Sequence, residues 1–253
     1  MKAAVLIASA CRDLAELAVR SVSTFAPDTP VFLIDNGCGL GIKNPHVVGG
    51  ARDHASAIEF MRRRGLPGSI DQVICFDDDA LVMSAAWLPT LQQYHREGYG
   101  IVGGQRHRGR PSQSVIDGIA VPHAHCLSMT REVFEAAQTF HAQPGYDTGD
   151  LACVEYVKRG GTVKVLSYTL SEGMALYYDK HAWAWLWMHL ARGTSFAPGP
   201  WWRERVRDVT ARWSARSQKI RRRQALRARY VVQGWERLEH GDPAIADPSQ
   251  TGA

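Results

Sequence analysis

Apolar residues fall in short unbroken runs near the start of the chain, separated by stretches where they recur at helical spacing. Ala3-Ala4-Val5-Leu6-Ile7-Ala8 is apolar at every position and closes at Ser9. A run without alternation predicts a strand buried on both faces, as in a parallel sheet. Leu14, Leu17, Ala18, Ser21 and Phe25 then recur as one face of a helix, with Asp13 as its expected cap, and Pro27 and Pro30 close the unit. Val31-Phe32-Leu33-Ile34 predicts a second strand ending at Asp35-Asn36-Gly37. Residues 55–64 form the next predicted element, an amphipathic helix with Ile58, Phe60 and Met61 as candidate core residues. A third apolar run, Val73-Ile74-Cys75-Phe76, enters Asp77-Asp78-Asp79. Strands alternating with helices imply parallel βαβ units, so the first hundred residues read as a nucleotide-binding α/β half.

Further along, residues 87–96 predict a helix and Gly100-Ile101-Val102-Gly103 a short strand, which leads into an Arg- and Gly-rich loop at 104–114 with the character of a mobile lid. Residues 115–129 carry mixed strand signals, and 131–138 are helical. Pro144-Gly145 precedes Tyr146-Asp147-Thr148-Gly149-Asp150, where another helix starts, runs to Arg159 and stops at Gly160-Gly161 before the strand 162–166. From Trp183 the composition turns aromatic and basic, and Pro198-Gly199-Pro200 is the clearest boundary. The expected organisation is an α/β domain at 1–197, a basic helical extension at 198–240 and a flexible tail at 241–253, with no internal repeat.

Composition adds three limits. At 253 residues and 45% hydrophobic, the chain is long enough to bury a full α/β core. No apolar run approaches the roughly 20 residues needed to cross a bilayer, and the first nine read as a strand rather than a signal sequence, so a cytoplasmic protein is expected. The five cysteines are widely spaced and lie mostly within apolar runs, which suits reduced core thiols and neither a disulfide framework nor a zinc site. The net charge of +5 is uneven: from Arg203 to Arg237 there are twelve Arg or Lys against three acids, a balance of +9, which leaves −4 for the remainder.

The candidate chemistry centres on the Asp triplet. The end of a buried parallel strand is the carboxyl edge of the sheet, where open α/β proteins bind ligands. Mg²⁺ and Mn²⁺ take oxygen ligands, commonly one or two carboxylates together with phosphate oxygens, and Asp77 and Asp79 straddling Asp78 are suited to supply them. Against this stands a solvated acidic turn. His123 and His125 are spaced to share one face of a strand, for which packing is preferred over an acceptor-binding role.

Taken in order, these residues resemble GT-A fold glycosyltransferases of the family 2 type, over roughly residues 1–196. The first strand ends at Ala8-Ser9, where the resemblance implies the nucleotide's base and ribose. Asp35-Asn36-Gly37 is similar to that family's Asp-Asn-Gly or Asp-Asp-Ser, and Asp77-Asp78-Asp79 to its Asp-x-Asp metal motif. Asp150, eleven residues before Gly161, resembles the Asp that serves those enzymes as catalytic base. The chain departs from the pattern in carrying Gly149 where the family has Glu, and it has a second acid at Asp147. The base is therefore shared between Asp150 and Asp147, with Asp150 preferred on spacing and an N-cap as the structural alternative. The resemblance also implies a His completing the metal site, for which His189 is preferred over His181, and a phosphate-side role for Arg52 and His54 after Gly49-Gly50. The expected architecture is an α/β, GT-A-type (Rossmann-like) fold with a mainly parallel central sheet flanked by helices and a C-terminal Arg/Trp-rich helical extension. The implied reaction is inverting sugar transfer from a nucleotide-diphosphate sugar, foremost a UDP-sugar, bound through Ala8, Ser9, Asp35, Arg52, His54, Asp77 and Asp78. Mn²⁺ or Mg²⁺ would be held by Asp77, Asp79 and His189.

The acceptor is left open between a saccharide, a lipid-linked carrier, a protein side chain and a hydroxylated DNA base, since loops such as 104–114 determine it. The basic segment, with Trp201, Trp202, Trp213 and Trp235, has three readings: a helix docked on the catalytic domain with its arginines solvated, a nucleic-acid grip, or an anionic membrane surface. Among the two binding roles nucleic acid is favoured, because Arg221, Arg222, Arg223, Arg227 and Arg229 surround the helix rather than mark one face. Glycosylation of a hydroxymethylated DNA base, as in phage-type transferases, and an inactive GT-A-like nucleic-acid-binding module are the corresponding alternatives.

Overall fold

The computed structural model describes residues 1–9, 12–36, 48–49, 54–105, 115–141, 146–171, 174–179 and 184–189. Arg52, His181, most of the 104–114 loop, and the expected 198–240 extension and 241–253 tail, with the boundary before them, lie outside the described residues. In chain order the elements are β1 (Ala3–Ser9), α1 (Arg12–Phe25), β2 (Val31–Asp35), β3 (Val48–Gly49), α2 (His54–Arg64), β4 (Gln72–Asp77), β5 (Ala80–Val82), α3 (Trp87–Arg96) and β6 (Ile101–Gly104). They continue with β7 (Val115–Ile116), β8 (Ile119–Ala120), β9 (Cys126–Thr130), α4 (Arg131–Ala136), α5 (Asp150–Lys158), β10 (Val163–Leu166), β11 (Tyr168–Ser171), β12 (Met174–Asp179) and β13 (Ala184–His189).

Among the described residues, seven strands form the central sheet in the order β10-β6-β9-β4-β1-β2-β3. β9 runs antiparallel to both its neighbours, and every other adjacent pair is parallel. The expected mainly parallel sheet is thus present. The unbroken apolar run of β1 explains its central position: Ala3, Val5 and Ile7 enter one core and Ala4, Leu6 and Ala8 the other. Complete burial of each large aliphatic side chain there contributes about 1.5–3 kcal/mol. α1 and α3 cover the first face through Ala15, Ala18, Val22, Trp87 and Leu91. α2, α4 and α5 cover the second through Ala57, Ile58, Met61, Phe134, Ala152 and Val154.

A second, antiparallel sheet in the order β11-β12-β13-β5 was not foreseen from the sequence. Its Tyr177, Leu186 and Trp187 join the first core, so the late aromatic residues close the domain there. Gly104, at the end of β6, is where the two sheets touch, since a Cβ at that position would meet the rings of Tyr177 and Trp187.

Some boundaries differ from expectation. Helix α1 begins at Arg12, so Asp13 lies inside it rather than capping it. Phe60, expected in the core, is 37% exposed, because the buried face of α2 is Ala55, Ala57, Ile58 and Met61. His123 and His125 are not on a strand but in the turn preceding β9. Thr130 caps α4 by accepting from the Val133 N–H at 3.4 Å. Cys75, Cys126 and Cys153 are free, buried thiols pushed to higher pKa by burial, as inert core residues would be.

Candidate functional site

Strand register lines up the carboxyl edge. Ser9 of β1 pairs with Asp35 of β2, and Ala8 of β1 with Asp77 of β4, so four of the sequence-predicted residues form a row across three adjacent strands. The Asn36 N–H donates to the Ser9 carbonyl at 2.9 Å and continues the row beyond the sheet. Ser9 and Asp78 are both 1% exposed, and the Ser9 hydroxyl donates to the Asp78 carboxylate at 2.5 Å. The middle acid of the triplet therefore ties β1 to the turn after β4.

That turn sends the chain from one sheet into the other. β5 leaves the central sheet and pairs antiparallel with β13, in a register that sets Ala80 opposite His189. Directly opposed residues in such a pair approach to about 5 Å, so the His189 ring falls beside Asp79, the neighbour of Ala80. The His189 Nε2 is 3.0 Å from Asp79 Oδ1 and 3.7 Å from Asp77 Oδ2. One ligand atom from each of Asp77, Asp79 and His189 lies within 4.8 Å of the others. Two carboxylates and an imidazole match the donors of Mn²⁺, and with fewer protein ligands of Mg²⁺, so the residues present fit a divalent cation. His54, the first residue of α2, approaches from the other side, its Nδ1 3.4 Å from Asp77 Oδ1.

The electrostatics agree with that fit. Burial raises the Asp77 pKa, and the nearby charges of Asp79 and Asp147 raise it further, against the opposing pull of His54 and His189. Burial by itself would lower His189, but Asp79, through charge and hydrogen bond, and Asp77 and Asp78 behind it lift it to about 8. Carboxylates in excess of cations thus converge in a part-buried cluster, and a charged His189 compensates only part of the excess.

Asp150 opens α5 after Gly149, whose φ of 79° is the left-handed turn that aims the helix start. The Asp150 carboxylate is buried, 1% exposed, and accepts from the Asp147 N–H at 2.6 Å. Asp147 is half-buried, accepts from the Thr148 N–H at 2.9 Å, and is the member of the pair whose charge reaches Asp77.

A histidine cluster beside the candidate cation site escaped the sequence reading. The rings of His125 and His189 stack at 4.8 Å, and His123 Nδ1 and His125 Nδ1 are 2.7 Å apart. The His-x-His spacing was visible in the sequence, but its partner, 64 positions further on, is set by the β13–β5 register and has no local signal.

No model of a protein family matches the sequence, and no curated protein matches it. Solved structures do. A mannosyltransferase from Pyrobaculum calidifontis, in complex with GDP-Man and Mn²⁺, superposes with a TM-score of 0.51 at 15% identity, over 68% of this chain and 57% of its own. The chain therefore spans little more than half the length of that enzyme. Glucosyl-3-phosphoglycerate synthase from Mycobacterium tuberculosis, in complex with Mg²⁺ and UDP, superposes with a TM-score of 0.49 at 15% identity, over 66% of this chain and 69% of its own. At 15% identity the likeness to the mannosyltransferase is one of architecture, and with the mainly parallel central sheet it gives the chain the GT-A fold.

Proposed function

We propose that this protein is a metal-dependent glycosyltransferase, moving a sugar from a nucleotide-diphosphate sugar to an acceptor hydroxyl with inversion. The observation that carries the reading is the convergence of Asp77, Asp79 and His189 at the carboxyl edge, beside the row formed by Ala8, Ser9 and Asp35. The mannosyltransferase of like fold was solved with GDP-Man and Mn²⁺, and a UDP-sugar remains our first choice of donor here. Ala8, Ser9 and Asp35 would border the base and ribose, with His54 and Arg52 on the phosphate side. The buried Asn36 Oδ1, without a hydrogen-bond partner among the described residues, is an acceptor available at that end.

Asp77, Asp79 and His189 would hold the cation. When bound, it supplies positive charge against the departing diphosphate. The bond from the anomeric carbon to the diphosphate oxygen breaks as the acceptor oxygen forms its own bond to that carbon from the opposite face. The acceptor proton passes to a carboxylate. We assign that base to Asp147, with Asp150 as the buried acid that holds the Asp147 backbone. This reverses the preference drawn from spacing, and the ground is their difference in burial and hydrogen bonding.

For the acceptor, a hydroxymethylated base in DNA is a second, finer reading, favoured by the balance of +9 over residues 203–237. An inactive GT-A-like module that binds nucleic acid is the rival from another class. Calorimetric titration with UDP, GDP and other nucleotides, with and without Mn²⁺, tests the main reading. Binding that requires Mn²⁺ and is abolished by Asp79→Ala is expected, and metal-independent binding or none at all would overturn it. Slow release of free sugar from the donor separates a working transferase from an inactive module.

A further inference from the structure

We infer that His125 is the positioning residue of the cation site, holding the His189 imidazole where it meets Asp77 and Asp79. This rests on the metal reading above and assigns a task within it to a side chain that the sequence marked for packing ahead of acceptor binding. His125 touches both arms of the site. Its carbonyl accepts from the Asp77 N–H at 3.0 Å, which fixes the end of β4. Its ring stacks on His189, with centroids 4.8 Å apart and planes inclined by 25°. The two arms belong to different sheets, so this residue links their relative position to the geometry of the ligands.

The His125 ring is itself held. Tyr177 lies 4.5 Å away and Trp187 6.3 Å away, and these two rings stack on each other at 4.9 Å, both fully buried. His123 meets the His125 Nδ1 at 2.7 Å, and the His123 N–H donates to the Gly104 carbonyl at 2.8 Å. His125 is 1% exposed, so the stack is a part of the core that ends in a candidate ligand. An imidazole left unsupported turns about its two side-chain torsions, and a metal must then select one orientation from several. Neighbours that orient a ligand in advance typically govern affinity by 10–100-fold.

The test compares two substitutions of similar bulk. His125→Phe keeps a planar ring for His189 to stack on, and His125→Leu fills the space without one. Mn²⁺ affinity is read directly, from free Mn²⁺ by electron paramagnetic resonance, with no dependence on turnover. The expected result is a loss of about 10–100-fold for His125→Leu and recovery of most of it for His125→Phe, with nucleotide binding at saturating Mn²⁺ retained in both. Should His125→Leu not fold, His125→Gln takes its place. Equal Mn²⁺ affinity in the two variants, whether both strong or both weak, overturns the proposal. Asp79→Ala separates the levels: if the native protein binds Mn²⁺ and Asp79→Ala does not, such a result removes the role of His125 alone. If Asp79→Ala is without effect on Mn²⁺, the metal site itself is wrong and the proposal falls with it.

Discussion

At the scale of single residues, two carboxylates three positions apart sit in different surroundings. Asp150 is buried and engaged by a backbone N–H, whereas Asp147 is half-buried and its charge reaches Asp77. Asp147→Asn should therefore leave donor binding in place and lower transfer by about 10²–10⁴-fold, the usual contribution of a general base. Asp150→Asn, which keeps an oxygen to accept the same N–H, should lower thermal stability while transfer falls far less. The reverse ranking in a transfer assay would return the base to Asp150. His189 adds a pH dependence. Its folded-state pKa of about 8 lies above the ordinary 6.5, so its pairing with Asp79 stabilises the metal-free protein fully below pH 6.5 and is lost as pH rises through about 8. A cation must displace that proton. Mn²⁺ affinity should accordingly rise by up to about tenfold per pH unit below 8 and level off above it, and protonation of the raised Asp77 should steepen the loss in acid. Titrations from pH 6 to 9 would show this, and a flat profile would exclude His189 as a ligand.

At the scale of elements, the site is built where the chain passes from one sheet to the other. β4 delivers Asp77 to the carboxyl edge, the Asp78–Ser9 bond anchors the turn, and β5 carries the chain away to meet β13, which returns His189. The contact of the sheets at Gly104 sets how closely β13 can approach. Gly104→Ala forces a methyl group against Tyr177 and Trp187, so it should cost about 1–3 kcal/mol by overpacking and weaken Mn²⁺ binding as well. Gly98 makes a suitable control. Its φ of 96° strains any side chain, but a Cβ there meets nothing within 4 Å. Gly98→Ala should cost roughly 1–2 kcal/mol through backbone conformation and leave Mn²⁺ affinity as it was. Denaturation and Mn²⁺ titration of both variants distinguish a linked sheet contact from general destabilisation.

At the scale of the whole molecule, charge is the dominant asymmetry. Residues 1–202 are almost balanced, with 18 Lys or Arg against 19 acids, whereas the segment from Arg203 to Arg237 carries +9. With phosphate as its target, duplex DNA should bind at low salt and dissociate steeply between about 50 and 200 mM NaCl, because each neutralised phosphate releases counterions. Replacing Arg221, Arg222 and Arg223 with Ala should flatten that slope. Binding to anionic vesicles with a blue shift in tryptophan fluorescence, and none to duplex DNA, would assign the segment to a membrane surface instead. Among the described residues no helix is long and apolar enough to cross a membrane.

The sequence by itself determined what depends on neighbours along the chain. The apolar runs of β1, β2 and β4, the helical stripes of α1 and α3, and the Asp triplet at a strand end were legible because periodicity and strand termini are local properties. Ser9, Asp35 and Asp77 could be put at one edge on the same basis, since parallel strands align their carboxyl ends. Tertiary structure decided whatever depends on register between distant segments. The pairing of β5 with β13 that sets Ala80 opposite His189, the Asp78–Ser9 bond and the stack of His125 on His189 all join segments more than 60 residues apart, and the burial of Tyr177, Leu186 and Trp187 in the first core holds β12 and β13 in place. The difference between Asp147 and Asp150 in burial and in one backbone hydrogen bond is likewise something that spacing along a chain does not encode.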